Sequence, residues 1–270
     1  MTGGAKRFVD GSDMSAMATS ALTTFSEAAS ATLVEPRFRL QLLDGFALAC
    51  DGEALAVPVR CQRVVALLAL HPGQMRRSGV AGMLWPEVTE SRACSSLRSA
   101  LWTLPRTDQT IVAIASSTLA LAPLVLVDLH EVSDLARRLA DPAAEVRDDE
   151  LDERRFVADL LPEWSEDWIL IQQQRYRELR LHALEGLCER LAASGRFGAA
   201  VQAGLTAVAA DPLRESAHAV LMRAYMAEGN RPEAIRQFGR YARLLRDELG
   251  LDPSPAMESQ LRIALADGTG

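Results

Sequence analysis

Two patterns of hydrophobic and polar residues divide this chain. From Arg37, apolar and polar positions alternate, as in β-strands that bury one face. Two Asp-Gly pairs, at positions 44–45 and 51–52, interrupt the alternation, and this dipeptide is typical of tight hairpin turns. Farther along, in residues 181–255, leucine and alanine recur at helical spacing. The first pattern predicts a three-stranded antiparallel sheet, and the second predicts a set of helices.

The helical part repeats itself at an offset of 34 residues. The positions that match are Leu187 with Leu221, Leu191 with Tyr225, Gly195 with Gly229, and Ala200 with Ala234. A period of about 34 residues with a short turn in its middle is typical of tetratricopeptide helix pairs. Because one helix pair cannot bury its apolar face alone, we expect the two copies to stack.

Between these two patterns, the sequence predicts three helices and a hairpin. The helices are expected at about residues 60–70, 79–84 and 90–104, and a proline follows each of them closely. Two short β-prone runs then flank Ser116-Ser117, which predicts a hairpin. A small sheet, three helices and a closing hairpin follow one another in the order of a winged helix-turn-helix domain.

The third of these helices has an apolar face and a polar face when its residues are placed about 100° apart. Its core face is predicted from Cys94, Leu97, Leu101 and Leu104. The opposite face carries Arg92, Ser95, Ser96, Ser99 and Thr103, with Arg98 at its margin. Arginine can bind guanine or phosphate, and serine lets a backbone approach closely, so this face suits the major groove of DNA. The alternative is the ordinary solvated face of an amphipathic helix.

Further DNA-binding candidates lie outside the third helix. They are Arg76 and Arg77 before the second helix, Arg106 after Pro105, and Ser116 and Ser117 at the hairpin. Arg92 is the best candidate for a base edge or a phosphate, whereas Arg106 can reach only the DNA backbone. Trp102 is expected to pack against the hairpin rather than to contact bases.

Short motifs in both halves resemble those of one known family. The N-terminal motifs are LWP at 84–86, SRA at 91–93, LRSALW at 97–102 and VDL at 127–129. The C-terminal motifs include DPLRE at 211–215 and ELGLDPSP at 248–255. Together they resemble the SARP-type transcriptional activators of bacteria, in which an OmpR-type winged helix precedes a bacterial transcriptional activator domain. The resemblance covers about residues 38–265.

The resemblance implies a mainly α fold with a small β component, in which a winged helix-turn-helix domain precedes an all-α tetratricopeptide-like domain. We expect a mobile tail at residues 1–35, the DNA-binding domain at 36–130, a linker and connecting segment at 131–155, and the helical domain at 156–270. The acidic part of the linker is interpreted as a solvated tether rather than an activation tail. Trp164 and Trp168 are expected to anchor the first helical repeat.

Charge is distributed unevenly along the chain. The net charge is −7, but residues 36–130 carry nine basic and seven acidic residues, a net charge of +2. A weakly cationic domain cannot coat DNA with positive charge, so binding must come from a few well-placed arginines. Members of the family that the chain resembles carry a denser basic cluster where this chain has Thr103 and Pro105. This difference lowers the expected non-specific affinity for DNA.

Motifs for catalysis, metal binding and membrane insertion are missing from the sequence. The single lysine, Lys6, belongs to no phosphate-binding loop, and neither G-x-S-x-G nor H-E-x-x-H occurs. The four histidines lie far apart, and the four cysteines form no C-x-x-C pair, which indicates buried thiols in a reducing compartment. No apolar run reaches the ~20 residues that a membrane helix needs. We therefore predict no enzyme activity, no catalytic residue, no cofactor, no metal site and no membrane partner, and a location in the cytoplasm at the nucleoid.

The predicted function is that of a sequence-specific DNA-binding transcriptional regulator. The resemblance implies an activator whose protomers pair as a homodimer on direct repeats in promoter DNA and contact RNA polymerase. The alternative is a tetratricopeptide-like protein-interaction scaffold whose winged helix has lost DNA binding.

Overall fold

The alternating stretch near the N-terminus forms the predicted antiparallel meander. The computed structural model describes residues 37–105 and 110–266, so the expected mobile tail lies outside the described residues. Strands β1 (Phe38–Gln41), β2 (Ala47–Cys50) and β3 (Glu53–Ala54) pair in sequence order. Both predicted Asp-Gly turns have positive φ at the aspartate and at the glycine, as expected for tight hairpin turns.

Three helices follow the meander, as predicted. Helix α1 covers Val59–Leu70, strand β4 covers Met75–Arg76, helix α2 covers Arg77–Leu84 and helix α3 covers Glu90–Trp102. The chain passes directly from β4 into α2, so α2 begins earlier than the sequence predicted. Strand β4 was not predicted, because two residues are too few to show an alternating pattern.

A hairpin and a returning strand complete the winged helix. Strands β5 (Val112–Ile114) and β6 (Thr118–Leu121) form the predicted hairpin, and β4 pairs with the other edge of β6. Strand β7 (Val125–Val127) then lies parallel to β1. The described residues therefore form a four-stranded sheet in the order β3-β2-β1-β7 and a three-stranded sheet in the order β4-β6-β5.

The segment that was expected to connect the two domains begins with a helix that was not predicted. Helix α4 covers Asp128–Ala140, and two short 3-10 turns follow at Asp148–Glu150 and Glu153–Phe156. The Asp128 carboxylate accepts hydrogen bonds of 2.9 and 3.1 Å from two backbone N–H groups just after β1. These bonds hold the start of α4 against the first sheet.

Ion pairs order the acidic segment that follows α4. Arg138 donates hydrogen bonds of 2.9 and 2.6 Å to the Glu150 carboxylate. The Arg138 guanidinium, with the backbone N–H of Arg147, lowers the pKa of Glu150 to about 2. Arg154 binds Asp152 through two further hydrogen bonds of 3.0 and 2.9 Å. The segment is therefore more ordered than the solvated tether that its composition suggests.

The C-terminal part consists of five helices. They are α5 (Asp167–Ala193), α6 (Phe197–Ala210), α7 (Glu215–Glu228), α8 (Arg231–Leu249) and α9 (Pro255–Ala266). Consecutive helices pack against one another along the chain. The fold is mainly α with a small β component, as the sequence predicted.

The 34-residue repeat corresponds to two stacked helix pairs, in which the end of α5 packs with α6 and α7 packs with α8. The repeated apolar positions are all buried, namely Leu187, Leu191 and Ala200 in the first copy and Leu221, Tyr225 and Ala234 in the second. Gly195 and Gly229 end the first helix of each pair with φ angles of 76° and 85°. Glycine adopts this left-handed conformation without strain, so the turn recurs at the same place in both copies.

The winged helix and the helical part share a hydrophobic core. The buried residues that cross into the core around β1, α1 and α3 are Leu160, Leu161, Trp168, Ile169 and Tyr176. Trp164 stacks on Phe46 with a ring separation of 6.3 Å. The expectation that the two tryptophans anchor the first repeat is therefore wrong, because they anchor the start of α5 to the sheet of the winged helix.

Candidate nucleic-acid interface

Helix α3 presents one polar face to solvent and buries the other. Its buried residues are Ala93, Leu97 and Ala100, and the predicted core residues Cys94, Leu101 and Leu104 are partly buried against the same core. The exposed residues of α3 that follow Glu90 are Ser91, Arg92, Ser95, Arg98, Ser99 and Trp102. The helix therefore offers solvent a face of arginine and serine, as predicted, with one tryptophan added.

The predicted contact residues on this helix do not all have the same access to solvent. Arg92, Arg98 and Ser99 are exposed, and so is Ser95, although its hydroxyl donates a 2.9 Å hydrogen bond to the Ser91 carbonyl. Ser96 is only half-exposed. These side chains differ in what they can offer a ligand, since the arginines keep all their donors available.

Thr103 is turned toward the protein. It is half-buried, and its hydroxyl donates to the Ser99 carbonyl at 3.0 Å and lies 3.2 Å from the Cys61 sulfur in α1. Its hydroxyl is therefore poorly placed to contact a base edge. Arg106, the other candidate beyond α3, lies outside the described residues.

The structure brings together two sets of candidates that lie far apart in sequence. Strand β4 pairs with β6, so that Arg76 lies opposite Thr118. The backbone N–H of Arg77 donates a 2.9 Å hydrogen bond to the carbonyl of Ser117 at the hairpin turn. Ser116 and Ser117 are exposed. The two arginines and the two serines therefore form one surface at the tip of the hairpin, which we call the wing.

Most arginines of the winged helix have no carboxylate partner. Within residues 37–105 and 110–127, the arginines without an ion pair are Arg39, Arg60, Arg76, Arg77, Arg92 and Arg98. Arg37 binds Asp51 and lowers the pKa of that carboxyl, and Arg63 lies 2.9 Å from Glu166. The four arginines on α3 and at the wing therefore keep their charge and their hydrogen-bond donors for an external anion.

Trp102 is more exposed than the predicted packing against the hairpin would leave it. The side chain is 74% exposed, whereas Trp168 is 9% exposed and the two other tryptophans are half-buried. It follows Ser91, Ser95 and Arg98 along one row of the helix, because these positions recur at nearly whole turns. This spacing was visible in the sequence and places the indole on the polar face.

Polar clusters suited to a metal are absent from the part of the chain that the structure describes. His71 and His130 bind backbone carbonyls of α1, at 2.9 and 2.7 Å, instead of converging on one site. Cys61 and Cys188 are buried, and burial raises the pKa of the Cys188 thiol to about 12. Among the described helices, none is both long and apolar enough to cross a membrane.

A family model and two curated relatives match the chain. The model of the bacterial transcriptional activator domain matches residues 128–262 and begins at the first residue of α4. The regulatory protein AfsR of Streptomyces coelicolor is 32% identical over 231 residues, which cover 80% of this chain and 23% of AfsR. AfsR of Streptomyces griseus is 28% identical over 236 residues, which cover 78% of this chain and 24% of that protein. The chain thus spans about a quarter of the length of these relatives.

The fold also occurs in a solved structure. Mycobacterium tuberculosis EmbR, solved in complex with a low affinity phosphopeptide, matches with a TM-score of 0.67 and 19% sequence identity. The match covers 86% of this chain and 66% of that one. At this identity the similarity concerns the arrangement of helices and strands.

Proposed function

This chain belongs to the SARP-type family of bacterial transcriptional regulators, which carry the bacterial transcriptional activator domain, and we propose that it binds specific DNA sequences through α3 and the wing. The observation that carries the proposal is the set of arginines without carboxylate partners at these two places, of which Arg76, Arg92 and Arg98 are exposed and Arg77 is half-buried. Guanidinium groups bind phosphate and the major-groove edge of guanine, and an internal ion pair would compete with both.

In the proposed complex, α3 lies in the major groove with its exposed face toward the bases. Arg92 and Arg98 contact guanine or phosphate, and the small side chains of Ser95 and Ser99 let the helix approach the base edges. Thr103 stabilises the end of α3 instead of contacting DNA, because its hydroxyl is bonded within the protein. Ser96 lies at the edge of this contact.

The wing supplies the second contact. Arg76 and Arg77 bind phosphates beside Ser116 and Ser117, whose hydroxyl groups can donate to phosphate oxygens. Such contacts fix the position of the protein on the duplex without selecting a sequence. Two separated anchors therefore make up for the low net charge of the domain. Arg106 is retained as a backbone contact on the strength of its position after α3.

We extend the proposal to the organisation and partners of the whole chain. Residues 36–130 form the DNA-binding domain and residues 156–270 form the helical domain, with α4 in the connecting segment. The protein acts without catalysis at the nucleoid in the cytoplasm, where a homodimer binds direct repeats in a promoter and contacts RNA polymerase. Family membership supports these steps, because SARP-type regulators activate transcription.

Selection from random double-stranded DNA tests the proposal. The purified 270-residue chain should enrich a defined sequence, and binding isotherms should then separate that sequence from scrambled DNA by about a thousandfold or more. The affinity should fall as salt rises, because each phosphate contact releases counterions. If repeated selection enriches no sequence while the protein remains folded, the DNA-binding proposal fails. The interaction-scaffold alternative would then be preferred.

A further inference from the structure

Arg63 contacts two elements that belong to different parts of the molecule. From α1, its Nη2 donates a 3.0 Å hydrogen bond to the carbonyl of Leu84, the last residue of α2. Its Nε lies 2.9 Å from the carboxylate of Glu166, the residue that precedes α5. One guanidinium therefore connects the end of the first helix of the helix-turn-helix with the start of the helical part.

The end of α2 receives a favourable charge from Arg63. The last carbonyl groups of a helix have no partner within the helix and carry a partial negative charge. Helix α2 has no basic residue in its own last turn, so the guanidinium of Arg63 complements that charge from α1. The chain that leaves Leu84 is the turn that leads into α3. A bond to the Leu84 carbonyl therefore limits where α3 can lie.

The Glu166 carboxylate is directed to Arg63 and not to its own helix. A carboxylate at this place could bind the free N–H groups in the first turn of α5. Within the described residues, however, the Glu166 side chain makes no capping hydrogen bond to α5. The Arg63 and Glu166 side chains are only 25% and 35% exposed, so solvent and salt screen their attraction less than that of a fully exposed pair.

A groove lies where Arg63 joins these two elements. The space of about 400 Å³ is lined by Met83, Leu84 and Trp85 from the end of α2, and by Glu166 and Trp168 from the start of α5. Arg63 lines it as well. The contacts of Arg63 therefore join two walls of a space that side-chain packing leaves unfilled.

We propose that Arg63 is a positioning residue for DNA recognition, which ties the turn before α3 to the start of α5 and so sets how α3 enters the major groove. The proposal rests on the proposed DNA-binding function and refines it. Arg63 acts through α3 and contacts no DNA itself. Without the bridge, α3 loses contacts to base edges while the phosphate contacts of the wing persist, so the preference for the selected sequence falls.

Binding isotherms of the full chain on the selected site and on a scrambled duplex test the proposal. Arg63→Gln should bind the selected site about tenfold more weakly, the cost of roughly one weakened base contact. Its affinity for the scrambled duplex should change little, because Arg63 neutralises no phosphate in the proposed complex.

Glu166→Gln gives a sharper test, because position and charge predict opposite signs. If only long-range charge matters, removing a negative charge should strengthen binding to every sequence. Positioning predicts about threefold weaker binding to the selected site, in line with the loss of one partly exposed ion pair, and no loss on scrambled DNA. The matched control is Glu87→Gln. Glu87 is exposed, lines the same groove and forms no ion pair among the described residues, so this variant should bind the selected site at least as tightly as the wild type.

The double variant Arg63→Gln/Glu166→Gln tests whether the two residues act together. It should bind the selected site no more weakly than Arg63→Gln, because Glu166 acts through Arg63. Thermal unfolding checks that each variant is folded at the temperature of the isotherms. If Arg63→Gln does not fold, Glu166→Gln and its control decide the question.

Several outcomes would overturn the proposal. Unchanged sequence preference in both single variants, with a lower free energy of unfolding, shows that the bridge only stabilises the fold. Tighter binding by Glu166→Gln and Glu87→Gln alike shows that charge alone matters, and equal losses of Arg63→Gln on both duplexes assign Arg63 to a phosphate contact. If the wild type binds no DNA, the proposed function fails together with this inference, whereas specific wild-type binding with unaffected variants refutes this inference alone.

Discussion

The winged helix and the helical part use the same residue type in opposite ways. In the connecting segment and the helical part, arginines form ion pairs with carboxylates: Arg137 with Asp134, Arg138 with Glu150, Arg177 with Asp211, Arg180 with Asp159, Arg214 with Glu178 and Glu185, Arg223 with Glu189, Arg236 and Arg240 with Glu233, and Arg246 with Asp252. On α3 and at the wing, the described arginines make no such pairs. Arginine therefore binds carboxylates within and between helices in one region and remains available to a ligand in the other.

This difference explains why the net charge of the whole chain is a poor guide to its partners. The value of −7 comes from residues 131–270, where acidic residues outnumber basic ones and many of them bind arginine. Exposed ion pairs of this kind contribute little stability individually, about 0–1 kcal/mol. Their main consequence is that much of the arginine charge of residues 131–270 is neutralised by nearby carboxylates. The electrostatic field near α3 then depends on a few nearby arginines.

The largest expected effect comes from removing two arginines of α3. The double variant Arg92→Ala/Arg98→Ala should lose about 3 kcal/mol of DNA-binding free energy, more than a hundredfold in Kd, because each guanidinium supplies a base or phosphate contact. The matched control is Arg223→Ala/Arg236→Ala, which removes two arginines that are paired with carboxylates on the helical part. Isotherms on the selected site measure both variants.

The control variant Arg223→Ala/Arg236→Ala shows whether the position of the removed arginines matters or only their number. It should bind DNA like the wild type, since neither of its arginines faces the proposed interface. An equal loss of affinity in the control would show that total positive charge, and not its position, governs binding. Loss in neither variant would show that α3 is not the DNA-contacting helix.

The next largest effect concerns how the helical part is stabilised. A Cβ atom added at Gly186 in α5 would collide with the backbone carbonyl of Leu139 at the end of α4. Gly186→Ala should therefore lower the free energy of unfolding by about 2–3 kcal/mol, because one of the two helices must move. Gly239→Ala in α8 is the control, since a Cβ there meets no atom within 4 Å. Chemical denaturation should find the control slightly more stable than the wild type, by roughly 0.5–1 kcal/mol.

Equal stability of these two glycine variants would contradict the close approach of α5 to α4.

Local sequence patterns predicted the elements whose cause is local. The Asp-Gly pairs specify the two hairpin turns, and the 34-residue offset specifies the stacked helix pairs, because these features depend on neighbouring residues and on a repeated apolar face. Helix α4 could also have been found, since Leu129, Leu135 and Leu139 recur at helical spacing and are buried. The acidic composition that follows α4 hides this pattern, because such a composition is typical of a linker.

Features that depend on contacts between distant residues could not be predicted from local sequence patterns. Trp164 and Trp168 are hydrophobic enough to anchor any core, and only the path of residues 157–164 brings them to the sheet of the winged helix. Whether an arginine is paired also depends on the fold, as the ion pair between Arg63 and Glu166 illustrates. The arginine and serine residues of the candidate site were predicted from the sequence. The position of Arg76 and Arg77 beside Ser116 and Ser117 was not predicted, because it depends on the pairing of β4 with β6.

Acid should destabilise the helical part through a buried histidine. His218 is 3% exposed, its Nε2 lies 2.9 Å from the Pro212 carbonyl, and the Gln237 amide lies 2.7 Å from its Nδ1. Burial lowers the pKa of His218 below its ordinary value of 6.5, although the backbone carbonyl of Pro212 and the nearby Glu215 oppose the shift. The native state therefore favours the neutral ring, and as the pH falls below about 6.5 the unfolded state takes up a proton that the native state resists.

Stability should accordingly fall between about pH 6.5 and 5.5, by at most about 1.4 kcal/mol per pH unit from this group. His218→Gln cannot titrate and should lack this component of the slope, even if it is less stable at neutral pH. Urea denaturation of the wild type and the variant at about pH 7 and 5.5 measures the difference. Parallel losses in the two proteins would remove His218 as the cause.

The smallest expected effect comes from removing a single exposed arginine, and it tests whether the position of that arginine matters for DNA binding. Arg76 at the wing and Arg243 in α8 both lie exposed without an ion pair among the described residues. Arg76→Ala should weaken binding to all sequences alike and lower the slope of log Kd against log salt by about 0.9, the value for one phosphate contact. Arg243→Ala removes the same charge from the same protein and should leave the slope unchanged. If Arg243→Ala lowers the slope as much as Arg76→Ala, the wing makes no local phosphate contact, and long-range attraction by the whole molecule accounts for the salt dependence.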